Sequence, residues 1–371
     1  MDDLWYSNEE AMLELYTTIG FILAGYSVIA NDSVQTLGTW IASNREKFKW
    51  TTLWAAAASV LVVTLAYGWY TNDHDLSFGR LAKIPYVEPQ WYHAMAPLAL
   101  VLLTRRGIPV STSFLVLSAF ASSFVLEKML MKSIMGYGLA AVVAYVLWLL
   151  IARVVNEKDD VSPKAKKFWR VFQWFSTGFL WYTWLSHDVA NIAVFLPRDV
   201  SFIQLIVIMV FFVIGLGYIF YKQGGAIQQI VLDKQSTKYV RSATMIDLVY
   251  AFLLLYFKQL NNIPMSTTWV FVGLLCGREL ALNTGLTKKG NLKTIFPIVA
   301  KDFLKLIVGL LVSVAIVVAI HYGTDGTNSA EGNADAAAPV QVEAPASEAS
   351  VDDAPAESAP ADTVPAASSA E

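Results

Sequence analysis

Cysteine is nearly absent from this chain: among 371 residues only Cys276 carries a thiol. An intramolecular disulfide and a cysteine-based metal cluster are thereby excluded. Histidine is scarce too, at His74, His93, His187 and His321, and no pair of them has a metal-ligand spacing such as His-x-x-x-His. Charge is also short, at 15% against 56% hydrophobic residues with a mean hydropathy of +0.48. A soluble domain carries about 25% charged residues. The start, Met1-Asp2-Asp3 with Glu9, Glu10 and Glu14 behind it, lacks the basic region of a cleaved signal peptide, so the first span is expected to stay in the mature protein. No nucleophile–base set stands out, so an intramembrane enzyme finds no support. The abundant Trp and Tyr read as interfacial anchors and not as a base-stacking platform, and nucleic acid is not an expected partner.

What is present is apolar sequence in long runs: Leu53–Tyr67, Ala94–Leu103, Gly136–Ile151, Phe202–Tyr221, Met245–Phe257 and Leu304–Ile320. Several are short for a lone span of roughly 20 residues, so they extend into polar neighbours, or enter and leave on one side, as near Pro109 and Pro264. About ten apolar segments are expected, more than one soluble core could hide. The fold class is an all-α polytopic membrane protein, placed in the cell (inner) membrane with lipid as its surroundings.

Charge is uneven along the chain. From Tyr322 to Glu371 there are ten Asp and Glu and no Lys or Arg, leaving 27 basic and 20 acidic residues elsewhere. Basic clusters at 45–49, 164–170, 222–241 and 288–305 mark the cytoplasmic side by the positive-inside rule, which puts both ends outside. The Ala/Pro/Glu/Ser tail has little large and apolar to bury, so it is expected to be disordered, as a solvated spacer or a partner-binding segment. The polar run Arg153 to Pro163 suggests a boundary. The expected division is a first membrane repeat at 1–155, a cytoplasmic linker at 156–167, a second membrane repeat at 168–321 and a tail at 322–371.

The division into repeats rests on two words. Ile108-Pro109-Val110-Ser111-Thr112-Ser113-Phe114 recurs as Ile263-Pro264-Met265-Ser266-Thr267-Thr268-Trp269. Upstream of each is an aspartate in a polar break, in Asn31-Asp32-Ser33-Val34-Gln35 and in His187-Asp188-Val189-Ala190-Asn191. Asp32 precedes Pro109 by 77 positions and Asp188 precedes Pro264 by 76. Two words in one order at one spacing indicate internal duplication, which in a membrane chain with broken apolar segments is typical of transporters.

Proline suits the first turn of a helix, where four N–H groups lack partners and the dipole end is partly positive. Ser111, Thr112, Ser113, Ser266, Thr267 and Thr268 add donors without adding charge, a set suited to a compact oxyanion. The plainer use of such hydroxyls is to cap or back-bond their own helix. Asp32 and Asp188 lie at or near membrane depth, where a charged carboxylate costs at least about 2.5 kcal/mol without a partner. Asn31, Asp32 and Gln35, with Asp188 and Asn191, offer the oxygen ligands that a hard cation such as Na⁺ takes. Loop carboxylates at the membrane surface are the plainer alternative. His187 stands where Asn31 stands in the first copy. Asp247, leading into an apolar span, is a further candidate, although an acid near a helix end can also reach water. Arg278-Glu279 reads as a self-neutralising pair near the interface.

These motifs resemble those of the inorganic phosphate transporter (PiT) family, which carries an Asn-Asp-Val-Ala-Asn type motif and a Pro-Val-Ser-Thr-Thr motif in each half. Asp188-Val189-Ala190-Asn191, Gly224-Gly225-Ala226-Ile227-Gln228-Gln229-Ile230 and Pro264-Met265-Ser266-Thr267-Thr268 carry the likeness in the second half, and Asn31-Asp32 and Pro109-Val110-Ser111-Thr112-Ser113 in the first. The chain departs from the family at Ile29, Gln35, His187, Phe114 and Trp269. The resemblance covers roughly 11–321 and implies an inverted-repeat transporter with two re-entrant helical hairpins meeting near the bilayer midplane. It further implies cation-coupled symport of inorganic phosphate, with Na⁺ preferred to H⁺ and no other cofactor. Sulfate or another tetrahedral oxyanion, or a transport-incompetent sensor or scaffold, are the alternatives. A homodimer is compatible with it.

Overall fold

The computed structural model describes residues 2–106, 108, 110–151, 162–225, 228, 239–284 and 292–323. Pro109, much of the 156–167 linker, most of the Gly224–Ile230 segment and the acidic tail beyond Gly323 lie outside the described residues. The chain divides into Met1–Gly326, treated below, and Thr327–Glu371, which is outside that description.

Every regular element among the described residues is helical. In order they are α1 (Asp2–Ser27), a π-turn (Val28–Asp32), α2 (Ser33–Asn44), α3 (Trp50–Thr71), a 3₁₀ turn (Trp91–Ala94), α4 (Met95–Arg105), α5 (Thr112–Val116), a second 3₁₀ turn (Leu117–Ala119), α6 (Ser123–Ile151), α7 (Pro163–Asp188), α8 (Ala190–Ala193), α9 (Phe202–Tyr221), α10 (Val240–Leu260), α11 (Thr267–Thr284) and α12 (Leu292–Gly323). Five stretches are long and apolar enough to cross a membrane: Ala11–Asn44, Trp50–Thr71, Ser123–Leu150, Phe202–Tyr221 and Val240–Leu260. Leu306–Ala319 is a shorter apolar helix. Large side chains such as Val63, Phe175, Ile203 and Ile214 are exposed on these helices, as expected of surfaces that meet hydrocarbon and not water. The chain is a multi-pass helical membrane protein.

Local sequence explains the breaks. Ser162 accepts a hydrogen bond from the Ala165 N–H, and Pro163 takes the first position of α7, where a missing N–H costs nothing. Ser201 and Gln204 form a reciprocal capping box at the start of α9. Between α1 and α2 the helix widens into a π-turn at Val28-Ile29-Ala30-Asn31-Asp32, so the first polar break is a bulge inside a continuing helix and not a loop. At the second, α7 ends at Asp188 and a single turn, α8, follows.

Neighbouring helices pair in two ways. α3 and α9 run antiparallel, with the Trp54 indole N–H donating to Val213 O at 2.9 Å and that of Trp69 to Val200 O at 2.6 Å. α6 and α11 run parallel and close. A Cβ at Gly273 would lie 2.4 Å from Tyr137 O, and one at Gly277 would lie 2.0 Å from Ala141 O. The Gly-x-x-x-Gly spacing lets two backbones meet where lipid supplies no hydrophobic drive between helices.

Replacing Gly277 with Leu must therefore force α6 and α11 apart. The variant is expected to melt several degrees below the wild type in detergent, or to elute as aggregate on size exclusion. Unchanged melting would show that this contact is looser than described.

Candidate functional site

The two aspartates and the two Ser-Thr words come together in the centre of the molecule. Thr112 Oγ1 donates to Asp32 Oδ2 at 2.5 Å, and Thr267 Oγ1 donates to Asp188 Oδ2 at 2.5 Å. The middle threonine of each word thus holds the carboxylate of its own half. On the other oxygen, Asn31 Nδ2 donates to Asp32 Oδ1 at 2.6 Å, and Asn191 Nδ2 donates to Asp188 Oδ1 at 3.3 Å.

The last hydroxyl of each word crosses over. Ser113 Oγ donates to Met265 O at 3.1 Å, and Thr268 Oγ1 donates to Val110 O at 3.2 Å. Val110 and Met265 occupy the same place in the two words, so this is one reciprocal pair made twice. Ser113 also hydrogen-bonds Asp188, a link from the first half to the carboxylate of the second. Phe114 and Trp269, again equivalent, meet edge to face at 5.8 Å. The first hydroxyl of each word caps its own helix: Ser111 Oγ accepts from the Phe114 N–H at 3.2 Å, and Ser266 Oγ from the Trp269 N–H at 3.2 Å. The capping reading and the shared-site reading are therefore both realised, by different residues of one word.

The helices that follow differ. α11 is 18 residues long, whereas α5 is 5 residues and gives way to a 3₁₀ turn. A macrodipole of consequence belongs to α11 alone, because a single turn aligns few peptide units. Hydroxyls carry most of what the first word offers.

No residue of this cluster is more than 5% exposed, so the site is closed to the surface in this conformation. Asp32 and Asp188 repel one another electrostatically. Like charges in a low-dielectric interior are tolerated only with a compensating proton or cation. The donors fit a hard cation: carboxylate oxygens of both aspartates, plus Asn191 Oδ1, which is buried with no hydrogen-bond partner among the described residues. Asn31 Oδ1 is by contrast occupied by Gln35 Nε2 at 3.2 Å, so Gln35 serves as a support for Asn31. Asn31 Nδ2 also reaches Val110 O at 2.8 Å, which ties the first polar break to the first word.

Asp247 is fully buried on α10, where Thr39 and Thr177 each donate to one carboxylate oxygen at 2.5 Å. It joins α2, α7 and α10, one turn below Tyr250. The Tyr250 hydroxyl donates to Thr267 O at 3.0 Å and interacts electrostatically with both Asp32 and Asp188. Tyr250 is a site residue that sequence reasoning missed, since a tyrosine in an apolar helix reads as an anchor.

Arg80 was missed as well. It is 1% exposed, and its guanidinium reaches the His187 ring, with Nη2 at 2.6 Å from Nδ1, and Ile263 O at 3.3 Å. Lys132 Nζ donates to Ile263 O at 2.9 Å and to Asn261 Oδ1 at 2.8 Å. A basic group of this kind at the threshold of the second word has no counterpart described at the first. Gln228, the described member of the Gly-Gly-Ala-Ile-Gln stretch, donates to Gly38 O at 2.8 Å and so braces α2. Arg278 and Glu279 do pair, at 2.8 Å, with the guanidinium side chain buried.

The reciprocal pair is testable without reference to activity. Ser113→Ala and Thr268→Val each remove one crossing donor and are expected to destabilise by ~1 kcal/mol. The two effects should be of similar size in thermal or denaturant unfolding in detergent. A loss confined to one variant would break the equivalence of the two words.

No protein-family model matches the chain, and no curated protein matches it. A search of solved structures does find a likeness, to a sodium-dependent phosphate transporter, at a TM-score of 0.60 and 17% sequence identity, covering 84% of this chain and 98% of that one. At that identity the likeness concerns the fold: this chain is built as a helical membrane transporter is built.

Proposed function

We propose that the chain is a secondary transporter that moves inorganic phosphate together with a cation, Na⁺ in preference to H⁺. One observation carries the reading. Two buried, mutually repelling carboxylates are each held by the middle threonine of a Ser-Thr word, so cation ligands and oxyanion donors share one closed site. A multiply charged anion is very unfavourable inside a membrane unless cations accompany it. Coupling therefore follows from electrostatics: each ion makes the site habitable for the other.

The residues divide by role. Asp32, Asp188 and Asn191 hold the cation through oxygen, with Asn31 and Gln35 fixing Asp32. Thr112 and Thr267 hold the carboxylates. Ser111 and Ser266 use only an oxygen lone pair in capping their helices, so their hydroxyl hydrogens are available to an anion. Ser113 and Thr268, at the crossing between halves, are placed to exchange their carbonyl partners for anion oxygens. Asp247, with Thr39 and Thr177, links the moving helices to this centre. The PiT resemblance and the sodium-dependent phosphate transporter neighbour both support phosphate as the oxyanion.

The antiparallel packing of α3 against α9, elements at equivalent places in the two repeats, supports an inverted arrangement. Alternating access is then a rocking of one repeat against the other, breaking and remaking the Ser113–Met265 and Thr268–Val110 bonds. The short elements around each Ser-Thr word serve as the re-entrant hairpins of such a fold, in a cell membrane with both ends outside.

Reconstituted protein is expected to take up labelled phosphate when Na⁺ is high outside, and less so under a proton gradient alone. Asp32→Asn and Asp188→Asn should each cut uptake at least tenfold, because a neutral amide leaves the cation without its charge partner. Uptake of sulfate in place of phosphate would change the substrate and keep the mechanism. No uptake of either ion, with the anion still bound, would identify a sensor and refute the transporter.

A further inference from the structure

The two halves match in their hydroxyls and differ in their charge. Asp32 is met by Thr112 and Asn31, and the one charged group acting on it is Asp188. Asp188 is met by Thr267 and Asn191, and it has in addition the positive charge of Arg80. The difference traces to one position in the repeated motif. Where the first half has Asn31, which donates directly to its neighbouring aspartate, the second has His187. His187 Nε2 lies 2.7 Å from Leu254 O, an acceptor only, so the ring proton sits on Nε2. Nδ1 is then a lone-pair acceptor, and it faces Arg80 Nη2 at 2.6 Å. The ring is a neutral bracket that fixes a guanidinium beside Asp188.

The chain is shaped to bring Arg80 there. Asp75 accepts from the Ser77 N–H at 2.7 Å, from the Ser77 hydroxyl at 2.5 Å and from the Gly79 N–H at 3.3 Å, folding the α3 exit into a tight turn. Phe78 and Gly79 both take positive φ, +55° and +71°, and the second suits glycine. The turn drives Phe78 against Gly68 and sends Arg80 inward, where it is 1% exposed. Among the described residues no carboxylate touches the guanidinium, and its Nε is buried without a hydrogen-bond partner. Lys132 and Lys258 lie near enough to repel it. Asp188 is the acid that answers its charge.

We propose that Arg80 is a tethered cation that supplies one of the two positive charges the Asp32–Asp188 pair requires, so that one coupling ion binds instead of two. The free ion sits toward Asn191 Oδ1, the unpartnered buried oxygen between the carboxylates. The inference rests on the cation-coupled reading above and adds a stoichiometry to it.

The test is Na⁺ binding to the detergent-purified full-length chain, paired with the Na⁺ dependence of phosphate uptake in proteoliposomes. The wild type should bind one Na⁺ and show a non-cooperative Na⁺ dependence. Arg80→Gln should bind a second Na⁺, with a steeper dependence and a higher half-saturating concentration, while Arg80→Lys keeps the wild-type order. Wild type binding two or more Na⁺ overturns the proposal, even where Arg80→Gln fails to fold. So does an Arg80→Gln variant with unchanged Na⁺ order and a raised KM for phosphate, which would make Arg80 an anion ligand. A wild type that neither binds Na⁺ nor moves phosphate sinks the transporter reading itself, a result separable from both.

Discussion

Two carboxylates that repel each other are buried in one closed core, and the rest of the site follows from making that tolerable. Neither Asp32 nor Asp188 is in contact with a basic side chain among the described residues. Each is held by a threonine hydroxyl and an asparagine amide instead. Neutral donors stabilise a carboxylate without cancelling its charge, so the electrostatic demand for a cation persists. A direct salt bridge would remove that demand. The hydroxyl is thus the group that keeps a membrane carboxylate both buried and open to a mobile ion.

The same threonines tie ion to ion. Thr112 and Thr267 are flanked by the hydroxyls that face the other half, so any movement of an aspartate is felt one residue away at the crossing bonds. Those crossing bonds are individually weak, each worth about 1 kcal/mol. Helix contacts elsewhere are of another kind. Where Gly273 and Gly277 seat α11 on the α6 backbone, separation would cost a whole close-packed face. The architecture places stiffness within the α6–α11 pair and exchangeable polar contacts between the repeated words. Conformational change is cheapest along the second set.

Much of this was legible in the chain, and the reason is locality. The Ser-Thr words and the polar breaks are short, and duplication at matched spacing flagged both; all of their residues meet in one cluster. Their division of labour was not legible. Ser111 and Ser266 cap their helices, Thr112 and Thr267 serve carboxylates, and Ser113 and Thr268 cross to the opposite word, yet all six are hydroxyls in one pattern. Only the fold assigns them. Span number was legible in part: five stretches meet the length and apolarity of a crossing helix, against about ten apolar segments expected. α4 and α11, at 11 and 18 residues, show why, since apolar segments wrapped around a buried site are shorter or carry charge, as α11 does at Arg278. Arg80 gave no signal. It sits in a polar stretch that reads as an ordinary loop, and its inward path depends on the Phe78-Gly79 backbone and on a histidine more than a hundred positions away.

That histidine bears on how duplicated transporters drift from symmetry. With two equivalent halves, each aspartate sees the same neutral donors and the site needs two mobile positive charges. Substituting an imidazole for the asparagine at one copy removes a direct donor to the carboxylate and creates an acceptor pointing the other way. A buried acceptor is costly unless met, and a guanidinium meets it while bringing a permanent charge. One substitution in the motif therefore has a consequence for charge balance that a loop residue completes. The hydroxyl framework is indifferent to the change, because it depends on geometry that both copies retain. Drift in such a protein can alter the ions that accompany the substrate while leaving the substrate's own donors in place.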